Sequence, residues 1–186
     1  MPRSLLDGAD LPRLRSLVGD DPAMAAAVGL VDSGLLQFDP DDPGWGDRDR
    51  LVVAGTRAWS AARERLVPAG ADPTQVATAA GSGGEAMALA FGAAAAARMD
   101  GNVWRVWCLL DAEACDDGRI WEVARAAVTA ATEALVVVAE ESGVTGLWRA
   151  CGWTVHPAPA ADPAWLLGAL DQAVVAAPAA VVIAHA

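Results

Sequence analysis

Residues 81–122 read GSGGEAMALAFGAAAAARMDGNVWRVWCLLDAEACDDGRIWE, and this stretch decides the fold. A glycine turn, Gly81-Ser82-Gly83-Gly84, is followed by an alanine-rich segment, Ala86 to about Met99, that predicts a helix. Val103 to Leu110 is then a continuous apolar run bounded by turn signals, the pattern of a parallel strand buried on both faces. Asp111-Ala112-Glu113 and Asp117-Gly118-Arg119 place an acidic loop at that strand's carboxyl end, and a second helix follows from Gly118 to Thr132. The order is that of half an open α/β sheet, with its loop where such sheets hold ligands.

Outward from this stretch the same alternation continues. Ala134 to Ala139, Trp153 to Val155 and Ala180 to Ala184 predict further strands, with a helix over Pro163 to Val175 between the last two. A strand, helix and strand in that order imply a right-handed crossover. Upstream, Leu11 to Val18 repeats apolar residues at helical spacing, and Asp20-Asp21-Pro22 stops it and starts a helix over Pro22 to Leu36. Asp39 to Asp49 is polar with two prolines and predicts a surface loop. A short strand, Leu51 to Ala54, and a helix from about Arg57 to Leu66 come next, closed by turn chemistry over Val67 to Pro73. The fold class expected is α/β, three-layered, with a mainly parallel sheet and helices on both faces. It forms a single domain over 1–186, divided into a helical N-terminal segment, 1–73, and a core α/β unit, 74–186.

Composition narrows the function. The chain has 186 residues and a formal net charge of −11, which argues against nucleic acid or an anionic membrane surface as partner, since both need clustered cations. Every cation is Arg, with no Lys, so Schiff-base lysine chemistry and the lysine of a phosphate loop are excluded. No apolar run free of Gly, Pro or charge is long enough to span a bilayer, and the first residues lack a signal-peptide core. A cytoplasmic protein is expected. Cys108, Cys115 and Cys151 lack metal-ligand spacing. Cys108 reads as a small core residue, and Cys115 as an exposed thiol that its acidic neighbours hold unreactive.

The segment 81–122 resembles the diphosphate-binding, N-terminal half of the transketolase family. Phe38 to Arg50 (FDPDDPGWGDRDR), Gly152-Trp153-Thr154-Val155 and Val181 to His185 are similar to that family's landmarks in the right order. The resemblance implies thiamine diphosphate held through Mg2+, with a partner domain or subunit supplying the aminopyrimidine site and its activating glutamate. It nominates Gly81, Ser82, Gly83, Asp111, Glu113 and Ser142 as cofactor-binding positions and Asp111 as the metal ligand.

At the chemical positions the family pattern has lapsed. The family's Gly-Asp-Gly turn reads Leu110-Asp111-Ala112 here, so side chains stand where glycines permit close backbone approach to phosphate. The family's Asn falls in Ala139-Glu140-Glu141-Ser142, and Glu140 and Glu141 add negative charge. Its histidine motifs align with Asp20-Asp21-Pro22-Ala23 and with Ala54-Gly55-Thr56, while His156 is out of register for a third. The loop from Glu141 to Trp148 is also shortened. No catalytic residue is assigned. Asp111, Glu113, Asp116 and Asp117 can be read either as a metal site or as a solvated loop with helix-capping character.

Two functions follow from the resemblance. One is a degenerate, non-catalytic structural or regulatory subunit of a heteromeric thiamine-diphosphate-dependent complex, paired with a transketolase C-terminal-type (pyrimidine-binding) subunit or an intact N-terminal-type subunit. The alternative is the active diphosphate-binding half of a split transketolase transferring a two-carbon unit together with a C-terminal subunit. The eight Trp residues of a chain with no Tyr suggest interface anchors. Trp104, Trp107, Trp121 and Trp148 are the candidates, with core packing as the other reading. The alanine-rich helix is a second candidate surface.

Overall fold

The computed structural model describes residues 10–18, 21–130, 135–140, 145–175 and 180–185. In chain order the elements are α1 (Leu11–Val18), α2 (Pro22–Val31), β1 (Arg50–Ala54), α3 (Thr56–Leu66), α4 (Pro73–Val76), β2 (Ala77–Ala80), α5 (Gly83–Asp100), β3 (Val106–Leu110), α6 (Ala112–Cys115), α7 (Arg119–Thr129), β4 (Leu135–Glu140), α8 (Thr145–Ala150), β5 (Thr154–Pro159), α9 (Pro163–Val175) and β6 (Ala180–His185). The six strands form one sheet in the order β2-β1-β3-β4-β6-β5. Every neighbouring pair is parallel. None of the helices in the described residues is long and apolar enough to cross a membrane.

Alternation along the central strands sorts the helices into two layers. Leu51 and Val53 of β1 and Trp107 and Leu109 of β3 face a core shared with α1, α2, α3 and α9. Val52, Ala54, Val106, Cys108 and Leu110 face the opposite core, built with α5, α6, α7 and α8. The three-layer arrangement expected from the sequence is therefore observed. The sheet also crosses residue 73, because β1, from the segment before it, lies between β2 and β3.

Helix α5 shows why alanine suits its place. Ala86, Ala90, Ala94 and Ala97 make a stripe at helical spacing, all buried, and their short side chains let the helix axis approach the sheet closely. That face is therefore covered by the chain's own β1 and β3. Burial pushes the Cys108 thiol beneath it well above its ordinary range. Cys115, expected to be exposed, is 2% exposed in the same core, since one turn of α6 rotates it beneath the loop rather than outward.

The tryptophans also settle mostly inward. Trp104, Trp107 and Trp148 are buried and Trp121 is half-buried, so the four interface candidates belong to core packing. Trp148 stands edge-on between Trp121 and Trp153, with ring centroids 5.1 and 5.0 Å away. The Trp153 indole N–H donates to the Ala124 carbonyl at 2.9 Å. The most exposed tryptophans are Trp165, 65% exposed, and Trp45, 39% exposed.

Candidate functional site

β1 and β3 are neighbours, yet the helix leaving β1 packs on one face and the helices leaving β3 pack on the other. Their carboxyl ends diverge there, which is the place where an open parallel sheet leaves a crevice. A cavity of about 480 Å3 occupies it. The Gly81-Ser82-Gly83 turn, Thr56 and Trp59 of α3, and Glu113 line it. Of the nominated residues, Gly81, Ser82, Gly83 and Glu113 are thus brought together. Asp111 lies buried, 3% exposed, among the residues that end β3. Ser142 falls outside the described residues.

Two glycines are required by close approach. Gly55, which ends β1, adopts φ +99°, and a Cβ on it would overlap the Asp111 carboxylate. Gly83 has the Ala114 carbonyl against it, so a side chain there would collide with the backbone of α6. The glycine turn is therefore explained by packing at the start of α5.

The start of α5 is closed by the chain's own side chains. Ser82 is the N-cap, its Oγ accepting from the Glu85 N–H at 3.2 Å, and Glu85 Oε2 reaches back to accept from the Gly81 N–H at 2.8 Å. The Gly84 N–H donates to Asp117 Oδ2 at 2.9 Å. Arg119 holds this carboxylate, its Nη2 donating to Oδ2 at 2.9 Å and its Nε to Oδ1 at 3.0 Å, while Nη2 also donates to Ser82 Oγ at 3.0 Å. These bonds, led by Arg119, hold the Asp117 carboxyl well below the usual carboxylate range. An anion thus already occupies the position that the positive end of α5 favours. It is a carboxylate of this chain.

Asp111 is similarly engaged. It is the N-cap of α6, Oδ1 accepting from the Ala114 N–H at 2.9 Å, while Oδ2 accepts from the Arg57 N–H at 3.1 Å. Its carboxylate joins the first turns of α3 and α6 across the crevice. Asp21, in one lapsed histidine motif, caps α2 by accepting from Ala23 N at 3.0 Å and pairs with Arg57 Nη2 at 2.7 Å. Thr56, in the other, lines the cavity. Among the described residues no group of three His, Cys, Asp or Glu is placed to hold a metal ion. A diphosphate with its metal does not fit these residues as they stand: Gly84 N–H faces a carboxylate, both Asp111 oxygens accept backbone bonds, and Glu113 adds negative charge.

Sequence reasoning nominated Asp117 only as one of four loop acids, and did not nominate Trp59 for the site. The Gly84–Asp117 bond spans 33 residues, and Trp59 comes from the helix after β1, so only strand order brings them in. His156 lies elsewhere, in β5, beside a second cavity of about 430 Å3 that it shares with Trp165 and Gln172 of α9.

No protein-family model matches the sequence, and no curated protein matches it either. Solved structures do. A transketolase from Campylobacter jejuni superposes with TM-score 0.71 at 18% identity, covering 100% of this chain and 38% of the other. One from Leishmania mexicana gives TM-score 0.71 at 16% identity, covering 95% and 36%. A transketolase variant of Pichia stipitis, in complex with xylulose-5-phosphate, gives TM-score 0.69 at 14% identity, covering 92% and 35%. At these identities the likeness is one of fold, and the chain spans little more than a third of the transketolases it matches.

Proposed function

We propose, from the premise that this chain is built like part of a transketolase, that it is a non-catalytic structural or regulatory subunit of a heteromeric thiamine-diphosphate-dependent complex in the cytoplasm. Its partner is a transketolase C-terminal-type, pyrimidine-binding subunit, or an intact N-terminal-type subunit. The observation that carries this reading is the inward turn of the groups at the crevice. Asp117 takes the Gly84 N–H, and Asp111 spends both oxygens on backbone donors. A fold retained around a site whose donors serve the chain itself is suited to supporting a neighbour. The matches reach 38% and 36% of the length of the transketolase chains. Co-expression with a C-terminal-type subunit tests it: a stable heteromer by light scattering is expected, and a partner that is stable and active without this chain refutes it.

A second reading is the active diphosphate-binding half of a split transketolase that transfers a two-carbon unit. It is favoured by the convergence of Gly81, Ser82, Gly83 and Glu113 on one cavity at the crevice. Thiamine diphosphate would supply the carbanion chemistry. Here this chain's part would be to bind and orient through the glycine turn and Asp111, after Asp117 had moved. Calorimetry with thiamine diphosphate and Mg2+ on the assembled complex decides. Saturable binding abolished by Asp111→Ala supports this reading over the first.

A further inference from the structure

The cavity at the crevice has a lining chemistry of its own. Trp59 of α3 presents a half-buried indole to it, Thr56 and Ser82 contribute hydroxyls, and Glu113 brings a carboxylate. Among the described residues, no hydrogen bond or ion pair engages the Glu113 carboxylate, and no cation lies over Trp59. None of the described arginines is among the residues that line the cavity. The nearby Arg119 has its Nε and Nη2 on Asp117 and Ser82, and Arg57 directs Nη2 to Asp21 at 2.7 Å. Among the described residues, the charge at the wall is therefore in negative excess, beside the Trp59 side chain and within a volume of about 480 Å3. Such a combination attracts a cation through the ring's negative face and the carboxylate together.

We infer that this cavity takes an organic monocation, an alkylguanidinium or alkylammonium group, set against Trp59 and Glu113, in place of a diphosphate. A flat guanidinium stacks on the indole and directs its N–H donors to Glu113 and the hydroxyl of Thr56, which accept; Ser82 Oγ already accepts from the Glu85 N–H and Arg119. The inference deepens the subunit reading above and rests on it for its biological sense, because the cation can be an arginine presented by a partner. The binding itself is a property of this chain and is read without any partner.

The test is a titration of the full chain with ethylguanidinium at constant ionic strength, followed through the amide resonances of Gly55, Gly81 and Gly83. A saturable shift at these amides is expected in the millimolar range, weakened at least about threefold by Glu113→Gln and by Trp59→Leu. Inorganic pyrophosphate is expected to give no saturable shift at the same amides. Absence of the ethylguanidinium shift, an undiminished shift in Glu113→Gln, or tighter binding of pyrophosphate overturns the inference. Glu113 is exposed on a one-turn helix, so its variant keeps the fold. A parallel titration with the peptide acetyl-Gly-Arg-Gly-amide identifies the source. Tighter binding than ethylguanidinium points to a partner's side chain, and weaker binding to a free small cation. Failure here leaves heteromer formation untouched, and failure to form the heteromer leaves this titration standing.

Discussion

The indole N–H of Trp107 donates to the carboxylate of Asp49 at 3.0 Å, inside the protein, where both side chains are buried. Asp49 also accepts from the Arg105 N–H at 2.8 Å and from the Gln37 N–H at 3.2 Å. One carboxylate thus ties the loop after α2 to the amino end of β3, and its three bonds offset the cost of burying its charge. Asp49→Ala leaves three donors without an acceptor and is expected to lower stability by about 3–5 kcal/mol. Trp107→Phe removes one donor and some volume, and is expected to cost about 1–3 kcal/mol. Urea unfolding curves measure both. A loss below 1 kcal/mol for Asp49→Ala would show that the loop is held by other means.

Gly55 and Asp111 form a second pair whose effects should couple. Gly55→Ala drives a methyl group into the Asp111 carboxylate and imposes a side chain on φ +99°, at an expected cost of about 2–4 kcal/mol. Asp111→Ala unpairs the N–H groups of Arg57 and Ala114, at about 1–3 kcal/mol. With the carboxylate gone the added methyl has room, so the double variant is expected to lose at least 0.5 kcal/mol less than the sum, by roughly the coupling range for residues in contact. Simple additivity would mean that the overlap is relieved elsewhere.

The elements legible in the sequence were those whose stability is written locally. Val106 to Leu110 is an apolar run that any two-sided burial requires, and α9 over Pro163–Val175 carries its proline at the first helical position. β2 was not legible. Ala77-Thr78-Ala79-Ala80 has little strand propensity, and it is extended because it pairs with Leu51 to Ala54 at the sheet edge. α6 and α8 are too short for a period to register. At the crevice, the glycine turn and Glu113, nominated by the family resemblance, line one cavity. The plugging of α5 by Asp117 was not legible, because the sequence placed Asp117 in a loop and gave no sign of which N–H it would accept from.

Exposure separates the tryptophans by their expected cost. Trp148 is fully buried between two other indoles, and Trp148→Ala is expected to cost about 3–5 kcal/mol through the cavity it leaves. Trp165 is 65% exposed on α9, and Trp165→Ala is expected to change stability by less than about 0.5 kcal/mol. Thermal unfolding of the two variants checks the contrast. Equal losses would mean that Trp165 is covered in solution, making α9 an interface.

His156 should make stability depend on pH in a defined direction. Burial lowers its pKa below the ordinary 6.5, and a hydrogen bond with Gln172 opposes the shift in part. No partner for Nε2 is present among the described residues. Above 6.5 the imidazole is neutral in both the folded and the unfolded chain, so it adds no pH dependence there. As pH falls through 6.5 the unfolded chain takes up a proton that the folded chain refuses, and stability drops until the folded pKa is reached. Asp117, with its lowered pKa, works in a different window: its contribution is present above the ordinary 3.8 and is lost only at lower pH. Between pH 7 and 5 the unfolding free energy of the wild type is therefore expected to fall more steeply than that of His156→Phe. Parallel curves over that interval would mean that the imidazole is as well solvated folded as unfolded.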